Sequence, residues 1–295
     1  MFESFNALVN EPMSGHTTLK LGGPADFLVF PRSAGEISAL FDEAGANNLP
    51  VTVIGRGSNL LVLDGGIRGL VICIGKNMRE ITREGNTVTA QAGAMLGAVA
   101  AEAAEAGLSG LEFASGIPGT VGGGVVMNAG AYDGEMSQVV TRVTGLYPGG
   151  NTVTLTREEL DFGYRHSGLT ERNIIVTEVT FELQEGDPAA IRAKMAELNA
   201  RRAEKQPLDV PSAGSAFKRP EGYYAAALID QCGLKGYSVG GARVSMKHAG
   251  FLVNTGTSSR DFLDLMKKVQ QIVEERAGVR LEPEIRIIGE DERKP

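Results

Sequence analysis

The sequence has few of the residues on which metal and thiol chemistry depend. It contains two cysteines, three histidines and no tryptophan among 295 residues. Cys73 and Cys232 stand far apart and match no redox or metal-binding spacing, and each lies in a mainly apolar segment. His16, His166 and His248 occur singly, so no pair has the spacing of a metal-binding helix. The sequence therefore predicts no metal site and buried apolar roles for both cysteines.

An excess of positive charge and a long apolar run are also absent. Lys and Arg number 29 against 36 Asp and Glu, a formal net charge of -7, which argues against general binding to nucleic-acid backbones. No stretch approaches the roughly 18 apolar residues of a membrane span. The start, MFESFNALVNEP, lacks the basic and apolar regions of a signal peptide. We therefore expect a cytoplasmic protein with no membrane span, no nucleic-acid ligand and no obligate protein partner.

The remaining composition is that of a globular protein, with 42% hydrophobic and 22% charged residues. Patterns of short β-rich runs alternate with helical apolar stripes, which predicts an α+β fold. The strands are predicted at 26–30, 51–54, 70–74, 87–91, 140–147, 151–155, 174–183, 249–254 and 284–288. The best-defined helix begins at Ser258, in an S-x-x-D box with Asp261, and ends before Gly278. The polar, proline-containing segment 201–214 indicates a domain boundary.

Glycine is unusually abundant and clustered. There are 39 glycines, where average usage of about 7% would give roughly 21. Six fall between Gly55 and Gly75 and nine between Gly107 and Gly134. Such loops bring bare backbone N–H groups close to phosphate oxygens. Tight turns in a twisted sheet are the alternative explanation for either cluster taken alone.

Two familiar motifs are present only in part. The run from Gly55 to Leu60 follows a predicted strand, but Leu60 occupies the third glycine position of the dinucleotide fingerprint and no helix follows. The segment 236–240 reads G-x-S-x-G, which would make Ser238 a hydrolase nucleophile with His248 as its base. The flanking residues predict neither the preceding strand nor the following helix of that motif, so a hydrolase remains the weaker alternative.

Several ordered segments resemble those of one flavoprotein family. They are TTLKLGGPADFLVFP (17–31), GRGSNLLVLD (55–64), GIPGTVGGGVVMNAGAYDGEM (116–136), FGYRHS (162–167), AGSAFKRPEG (213–222) and LEPEIRIIG (281–289). Together they resemble the UDP-N-acetylenolpyruvoylglucosamine reductases, in the shorter form that lacks an extra tyrosine-bearing loop. The two glycine segments look like the phosphate-contacting loops of the FAD-binding domain of the vanillyl-alcohol oxidase and p-cresol methylhydroxylase (PCMH) type.

The resemblance implies a division of the chain. An FAD-binding PCMH-type region of two subdomains, split near residue 80, would occupy 1–205. A smaller α+β substrate-binding domain would occupy 206–280, and 281–295 would carry a last strand that returns to the first subdomain. The cofactor would be non-covalent FAD and the co-substrate NADPH. The reaction would reduce UDP-N-acetylglucosamine enolpyruvate to UDP-N-acetylmuramate for the cell wall, with hydride from flavin N5.

Site residues follow from their positions in the family's motifs. The resemblance makes Ser215 the proton donor and places Arg165 and Glu284 beside the substrate carboxylate, which the arginine fork is suited to bind. The implied FAD-contacting residues are Gly55, Gly57, Ser58, Asn59, Leu60, Gly116, Ile117, Pro118, Gly119, Gly122 and Gly123. Further substrate contacts are expected from Tyr164, Lys205 and Lys218.

Alternatives remain open at this level. Ser215 could be a turn residue, Arg165 a surface ion-pair partner and Glu284 an exposed strand residue. Tyr164 could belong to the core, and the two lysines could be solvated surface residues. Arg219 stands where many relatives have asparagine, which puts that contact in question. A flavin oxidase of the same fold is the closest functional rival, and it would differ by reacting rapidly with oxygen.

Overall fold

The chain divides into two compact units in the computed structural model, which describes residues 1–292. The first unit contains Met1–Leu8, Phe27–Arg56 and Gly69–Arg202. The second contains Val9–Asp26, Gly57–Arg68 and the chain from Ala203 onward. Each unit has its own cluster of buried apolar side chains. The second unit therefore combines the C-terminal part of the chain with two short segments from the N-terminal part.

Helices and strands alternate along the chain, as the α+β prediction requires. The helices are α1 (Ala34–Ala46), α2 (Leu96–Glu105), α3 (Val121–Val126), α4 (Pro188–Lys205), α5 (Ala225–Gln231) and α6 (Ser259–Ala277). The strands up to residue 109 are β1 (Leu8–Pro12), β2 (Pro24–Val29), β3 (Val51–Ile54), β4 (Leu60–Val62), β5 (Ile67–Cys73), β6 (Ile81–Glu84), β7 (Thr87–Gln91) and β8 (Leu108–Ser109). The later strands are β9 (Gly130–Ala131), β10 (Gly134–Glu135), β11 (Val140–Leu146), β12 (Thr152–Thr156), β13 (Ile175–Glu182), β14 (Gln184–Glu185), β15 (Ser212–Ser215), β16 (Ser238–Val239), β17 (Ala242–Val244), β18 (Phe251–Asn254) and β19 (Arg286–Ile288).

An antiparallel sheet of five strands, in the order β12-β11-β13-β7-β6, forms the largest layer of the first unit. Its central strand β13 buries Val179 and Phe181 and leaves the terminal Glu182 exposed. Helix α2 presents Leu96, Val99 and other apolar residues to the same core, as the sequence spacing predicts. Strand β3 pairs in parallel with the apolar strand β5 and delivers the chain to the first glycine cluster.

The second unit is built on a four-stranded sheet in the order β15-β18-β17-β16. All four residues of β18 are buried, because both faces of this inner strand are covered. Helix α6 contacts β16, β17 and β18 and buries the predicted stripe that includes Phe262, Leu265 and Val269. Burial of each such side chain contributes about 1.5–3 kcal/mol relative to an exposed one. The last strand, β19, pairs in parallel with β4.

The ends of α6 agree with the sequence prediction except at Asp261. The Ser258 hydroxyl accepts a hydrogen bond from the Arg260 N–H, and Gly278 closes the helix with a φ of 68°. Asp261 instead accepts a hydrogen bond from the Gly241 N–H at 2.7 Å. The carboxylate that assists the cap belongs to Asp64, which accepts from the Ser259 N–H at 2.8 Å and from the Ser258 hydroxyl at 3.0 Å. Asp64, which is distant in sequence, therefore takes the role that the capping box predicted for Asp261.

Replacing Asp64 with asparagine should lower the free energy of unfolding by about 0.5–1 kcal/mol at neutral pH. Burial opposes ionisation of Asp64, but hydrogen bonds from Ser259 and Ser258 outweigh it and lower the pKa from its ordinary 3.8. A carboxyl whose pKa is lowered by folding stabilises the protein above its ordinary pKa, and this contribution is lost as pH falls through the native value. Urea unfolding across a pH series should therefore show the wild type and variant converging in acid. A difference that stays constant with pH would contradict this account.

Candidate active site

The two glycine segments meet in the first unit. Gly55 directly follows β3, and a Cβ atom at this position would collide with the Thr120 hydroxyl oxygen. Thr120 lies in the second segment, just before α3. Glycine at position 55 therefore allows the two backbones to approach closely. Tight turns alone would not require this contact between segments that are distant in sequence.

The second glycine segment is held in place by backbone hydrogen bonds. The Gly119 carbonyl accepts from the Leu96 N–H at 3.0 Å, and Thr120 forms an antiparallel bridge with Met95. Gly122 is buried and its N–H donates to the Ala92 carbonyl, and a Cβ atom at this position would collide with the Ala92 side chain. Pro118 and Gly123 are exposed, and Gly116 and Ile117 are partly exposed. The segment thus offers accessible backbone supported by buried neighbours.

The second half of the first glycine segment, residues 57–60, belongs to the other unit. Gly57 has a φ of 67°, and a Cβ atom there would collide with the His16 carbonyl oxygen. The Gly57 carbonyl accepts from the Thr18 N–H at 3.2 Å. The Thr18 hydroxyl in turn donates to the Ser212 carbonyl at 2.7 Å, at the start of β15. Thr18 therefore links the glycine segment to the strand that ends at Ser215.

Ser215 and Glu284 are brought together in the second unit. Ser215 is the last residue of β15, and its hydroxyl donates to the Phe217 carbonyl at 3.1 Å. Phe217 forms an antiparallel bridge with Pro283, and the Glu284 N–H donates to the Ala216 carbonyl at 2.9 Å. These backbone contacts hold the two predicted catalytic residues on adjoining segments. Ser215 and Glu284 therefore lie on the same part of the second unit.

Asn59 joins the glycine segment to the same pair. Its side-chain amide donates to the Glu284 carbonyl at 3.0 Å, and its own carbonyl accepts from the Arg286 N–H at 3.0 Å. Glu284 is partly buried. Asn59, Ser215 and Glu284 are predicted from three separate motifs, and the second unit gathers them.

Arg165 lies in the first unit, in a tight turn bounded by a Gly163–His166 bridge. It has a φ of 55°, its guanidinium donates to the Gly130 carbonyl at 3.4 Å, and it lies 5.3 Å from the centroid of the Tyr164 ring. The strained backbone and the aromatic contact restrict where its charge can point. Arg165 is partly exposed, so its position is restrained without full burial.

A buried asparagine ties the Arg165 turn to the end of α3. Asn128 is 1% exposed, and its amide donates to the Gly163 carbonyl at 3.0 Å. Its side-chain oxygen accepts from the Ser137 N–H at 2.9 Å. The buried Ser167 hydroxyl adds a second tie, donating to the Val126 carbonyl at 2.9 Å. The turn that carries Arg165 is therefore anchored to α3 and the residues after it, within the second glycine segment.

Replacing Asn128 with alanine should lower the free energy of unfolding by about 1–3 kcal/mol, because it removes both hydrogen bonds of a buried side chain and leaves the Ser137 N–H without this acceptor. Urea unfolding measures this loss. Asn151 lies in an exposed turn, so Asn151→Ala is the matched control and should change stability by no more than about 0.5 kcal/mol. Equal stabilities for the two variants would contradict the anchoring role of Asn128.

The predicted substrate contacts occupy varied positions. Tyr164 is 54% exposed, so it is not a core residue. Lys205 is the exposed last residue of α4. Lys218 pairs with Glu282 at 3.5 Å, and its N–H donates to the Glu282 carbonyl. The Arg219 guanidinium lies 3.9 Å from the centroid of the Tyr224 ring.

The hydrolase alternative finds no support around Ser238. This residue lies in the short strand β16, paired with Arg243 of β17, and not at a strand-to-helix turn. The His248 ring nitrogen Nδ1 accepts a hydrogen bond from the Gly250 N–H at 3.1 Å. The strand-to-helix turn that a G-x-S-x-G nucleophile requires is therefore not present at Ser238, and the hydrolase interpretation is wrong.

The two cysteines are free and buried, as the sequence predicts. Burial raises the pKa of the Cys73 thiol to about 12, although Lys76 and Arg56 lower it. The thiol is therefore neutral and unsuited to nucleophilic attack. Within residues 1–292, no cluster of His, Cys, Asp and Glu side chains could bind a metal ion. Over the same residues, none of the helices combines the length and the hydrophobicity that crossing a bilayer would need.

Thr18, Thr120 and Asn128 were not assigned roles from the sequence. Thr18 and Thr120 lie in segments 17–31 and 116–136, which resemble those of the reductase family. The sequence does not indicate that a threonine in such a segment contacts a residue distant in the chain. Asn128 has a φ of 40°, a conformation that asparagine adopts more readily than most residues. An asparagine just after a short glycine-rich helix was the available signal.

Two glycine segments that meet at Gly55 and Thr120, in an α+β unit, are the features of an FAD-binding oxidoreductase domain. The family model described as "FAD binding domain" matches residues 25–156. A second, "UDP-N-acetylenolpyruvoylglucosamine reductase, C-terminal domain", matches residues 206–288.

Similar proteins cover nearly the whole chain. The reductase of Lactiplantibacillus plantarum is 52% identical over 291 residues, which are 98% of this chain and 96% of the relative. The reductase of Agathobacter rectalis is 55% identical over 296 residues, covering 96% and 94%. The crystal structure of the Thermus caldophilus reductase aligns with a TM-score of 0.82 at 38% identity, covering 94% of this chain and 97% of that one. The chain therefore belongs to the UDP-N-acetylenolpyruvoylglucosamine reductase family, and the predicted family and fold class are confirmed.

Proposed function

We propose that this protein catalyses the FAD-dependent reduction of UDP-N-acetylglucosamine enolpyruvate to UDP-N-acetylmuramate with NADPH, in peptidoglycan precursor synthesis. The full-length similarity to reductases of this name supports the reaction. One structural observation supports the proposed chemistry most directly. The Glu284 N–H donates to the Ala216 carbonyl, which places Glu284 on the segment beside Ser215. We place the enzyme in the cytoplasm, where nucleotide-activated sugar precursors are made.

The residues present fit FAD. Gly55 and Gly57 lack side chains where a Cβ atom would meet protein atoms. Gly116 lies against Arg202, whose buried Nε has no hydrogen-bond partner in the part of the chain that the structure describes. Bare backbone and a buried cation suit the diphosphate and polar edges of a flavin nucleotide. Residues 55–60 and 116–123 would hold FAD without a covalent bond. When bound, FAD carries the electrons of NADPH to the substrate double bond as a hydride.

Reduction adds one hydride and one proton across the enolpyruvyl C=C bond, and NADPH becomes NADP⁺. Hydride addition at the terminal carbon places negative charge beside the carboxylate, and this charge must be stabilised and then protonated. Ser215 donates the proton in our proposal. Arg165 binds the carboxylate, since a guanidinium fork matches its two oxygens.

A serine hydroxyl is a weak acid, so Ser215 needs a neighbour that supports proton loss. Glu284 is suited to this role because the Ala216 and Phe217 contacts hold its segment beside that of Ser215. In the described conformation the Ser215 proton points to the Phe217 carbonyl. A rotation about its Cα–Cβ bond releases this proton for transfer.

The wider assignments follow the same scheme. We propose that Tyr164, Lys205 and Lys218 contact the sugar nucleotide, the lysines through its diphosphate. The FAD-binding role falls to the region 1–205 and the substrate-binding role to 206–280, with residues 281–295 supplying the returning strand. Of that last segment, 293–295 lie outside the described residues.

Steady-state assay distinguishes this reductase from an oxidase of the same fold. We expect NADPH oxidation to depend on the enolpyruvyl substrate, to proceed at the same rate with and without oxygen, and to yield a product two hydrogens heavier. Rapid NADPH oxidation that needs oxygen and ignores the enolpyruvyl substrate would favour the oxidase and overturn the proposal.

A further inference from the structure

Arg202 is a buried cation on the inner face of α4. It is 9% exposed and shares the buried face of the helix with Ile191 and Leu198. Its Nε atom is fully buried and has no hydrogen-bond partner among residues 1–292. A buried donor without a partner is costly, and a buried charge is costlier still, so this position needs a compensating contact.

Within residues 1–292, the contact recorded for the Arg202 guanidinium is a weak one, with an aromatic ring. Its guanidinium carbon lies 5.6 Å from the centroid of the Tyr132 ring. Burial lowers the pKa of the Arg202 guanidinium, and the interaction with Tyr132 raises it by less. An aromatic face attracts a cation but accepts no directional hydrogen bond of normal strength from Nε. The fold therefore retains a desolvated charge at a cost to its own stability.

The unpartnered Nε faces the second glycine segment. A Cβ atom on Gly116 would lie 2.7 Å from Arg202 Nε and 2.5 Å from Asn199 Oδ1. Any side chain at position 116 would therefore cover or displace the donor. Glycine therefore allows the turn to pack directly against the Arg202 side chain, so a ligand of this turn would lie beside the guanidinium.

We propose that Arg202 binds the flavin nucleotide directly, donating a hydrogen bond from its guanidinium to an anionic acceptor of FAD at the Gly116 turn. This inference rests on the proposed function, since it takes FAD as the ligand of the glycine segments. Arg202 is then a cofactor-binding residue whose buried charge is neutralised only when FAD is present. Two parts of FAD carry the required chemistry: the diphosphate, and the pyrimidine edge of the isoalloxazine ring, which gains negative charge on reduction.

The test compares Arg202→Met with Arg201→Gln. Methionine has a similar length and no charge. Arg201 is the matched control because it is exposed and its guanidinium lies 4.9 Å from the same Tyr132 ring. Arg202→Lys retains the positive charge but not the planar guanidinium group. It controls for an effect of methionine on packing. For each protein, the flavin is removed and the melting temperature is measured, followed by the Kd for FAD and for riboflavin from flavin fluorescence.

We expect Arg202→Met to raise the Kd for oxidised FAD by about 10- to 100-fold, as loss of a charge-assisted hydrogen bond requires. Arg201→Gln should stay within about threefold of wild type. The flavin-free Arg202→Met protein should melt at the wild-type temperature or higher, because an unpaired buried charge is removed. A merely structural arginine would instead lower that melting temperature.

Comparing the Kd values for FAD and for riboflavin identifies which part of FAD accepts the hydrogen bond. A loss of affinity for FAD but not for riboflavin assigns the diphosphate. A loss for both, with a more negative midpoint potential of the bound flavin, assigns the isoalloxazine edge. Unchanged FAD affinity in Arg202→Met and Arg202→Lys, or a flavin-free variant that melts well below wild type, would overturn the assignment. Wild-type protein that binds no FAD would instead overturn the proposed function, and this assignment with it.

Discussion

Replacing Ser215 with alanine should leave NADPH-driven bleaching of the flavin within about twofold of wild type and slow recovery of its colour by the enolpyruvyl substrate by about 10²- to 10⁴-fold. The loss falls on the second step alone, because that step consumes the proton. Anaerobic stopped-flow absorbance measures each step separately. Ser215 lies at the end of β15 and its hydroxyl donates to the nearby Phe217 carbonyl, so alanine should fit without disturbing the strand.

Ser212, at the other end of β15, provides the control for Ser215. Its backbone carbonyl accepts the hydrogen bond from Thr18, and this contact survives in Ser212→Ala. The control should keep both steps within about twofold of wild type. Normal recovery of flavin colour in Ser215→Ala would show that the proton has another donor.

Replacing Glu284 with glutamine should slow the same second step by about 10²-fold or more, with little effect on reduction by NADPH. Glutamine keeps the size and hydrogen-bonding capacity of the side chain and removes its ability to hold or release a proton. The backbone contacts of Glu284 with Ala216 and Asn59 are retained, so the segment should remain in place. Stopped-flow absorbance again separates the two steps.

Glu282 is the matched control for Glu284. It lies two residues earlier, is exposed, and pairs with Lys218 at 3.5 Å. An exposed pair of this kind contributes little, so Glu282→Gln should keep the rate within about threefold. Equal losses in the two glutamine variants would mean that a general change of charge, and not the chemistry of Glu284, limits the step.

Local patterns in the sequence predicted much of the fold, because the elements concerned follow simple periodicities. The helix that begins after Ser258 and ends before Gly278 shows the apolar stripe and both ends that the sequence indicates. The predicted run 87–91 coincides with the observed strand β7. The family motifs placed Asn59, Ser215 and Glu284, and the structure adds the backbone contacts that join them.

The features that could not be predicted from the sequence are contacts between residues that are distant in the chain. Asp261 has the right spacing for a capping box, yet its carboxylate contacts Gly241, and Asp64 assists the cap instead. Arg202 continues the stripe of Ile191 and Leu198, where an apolar residue is expected. A charge on an apolar stripe was the available signal, but only the fold shows that its donor faces Gly116.

The most direct test follows the flavin absorbance of the wild-type protein under anaerobic conditions. We expect the purified or FAD-reconstituted protein to bind one FAD per chain that acid releases intact. NADPH should bleach its absorbance and the enolpyruvyl sugar nucleotide should restore it. A protein that binds no flavin, or a bleached flavin that this substrate leaves colourless, would contradict the account.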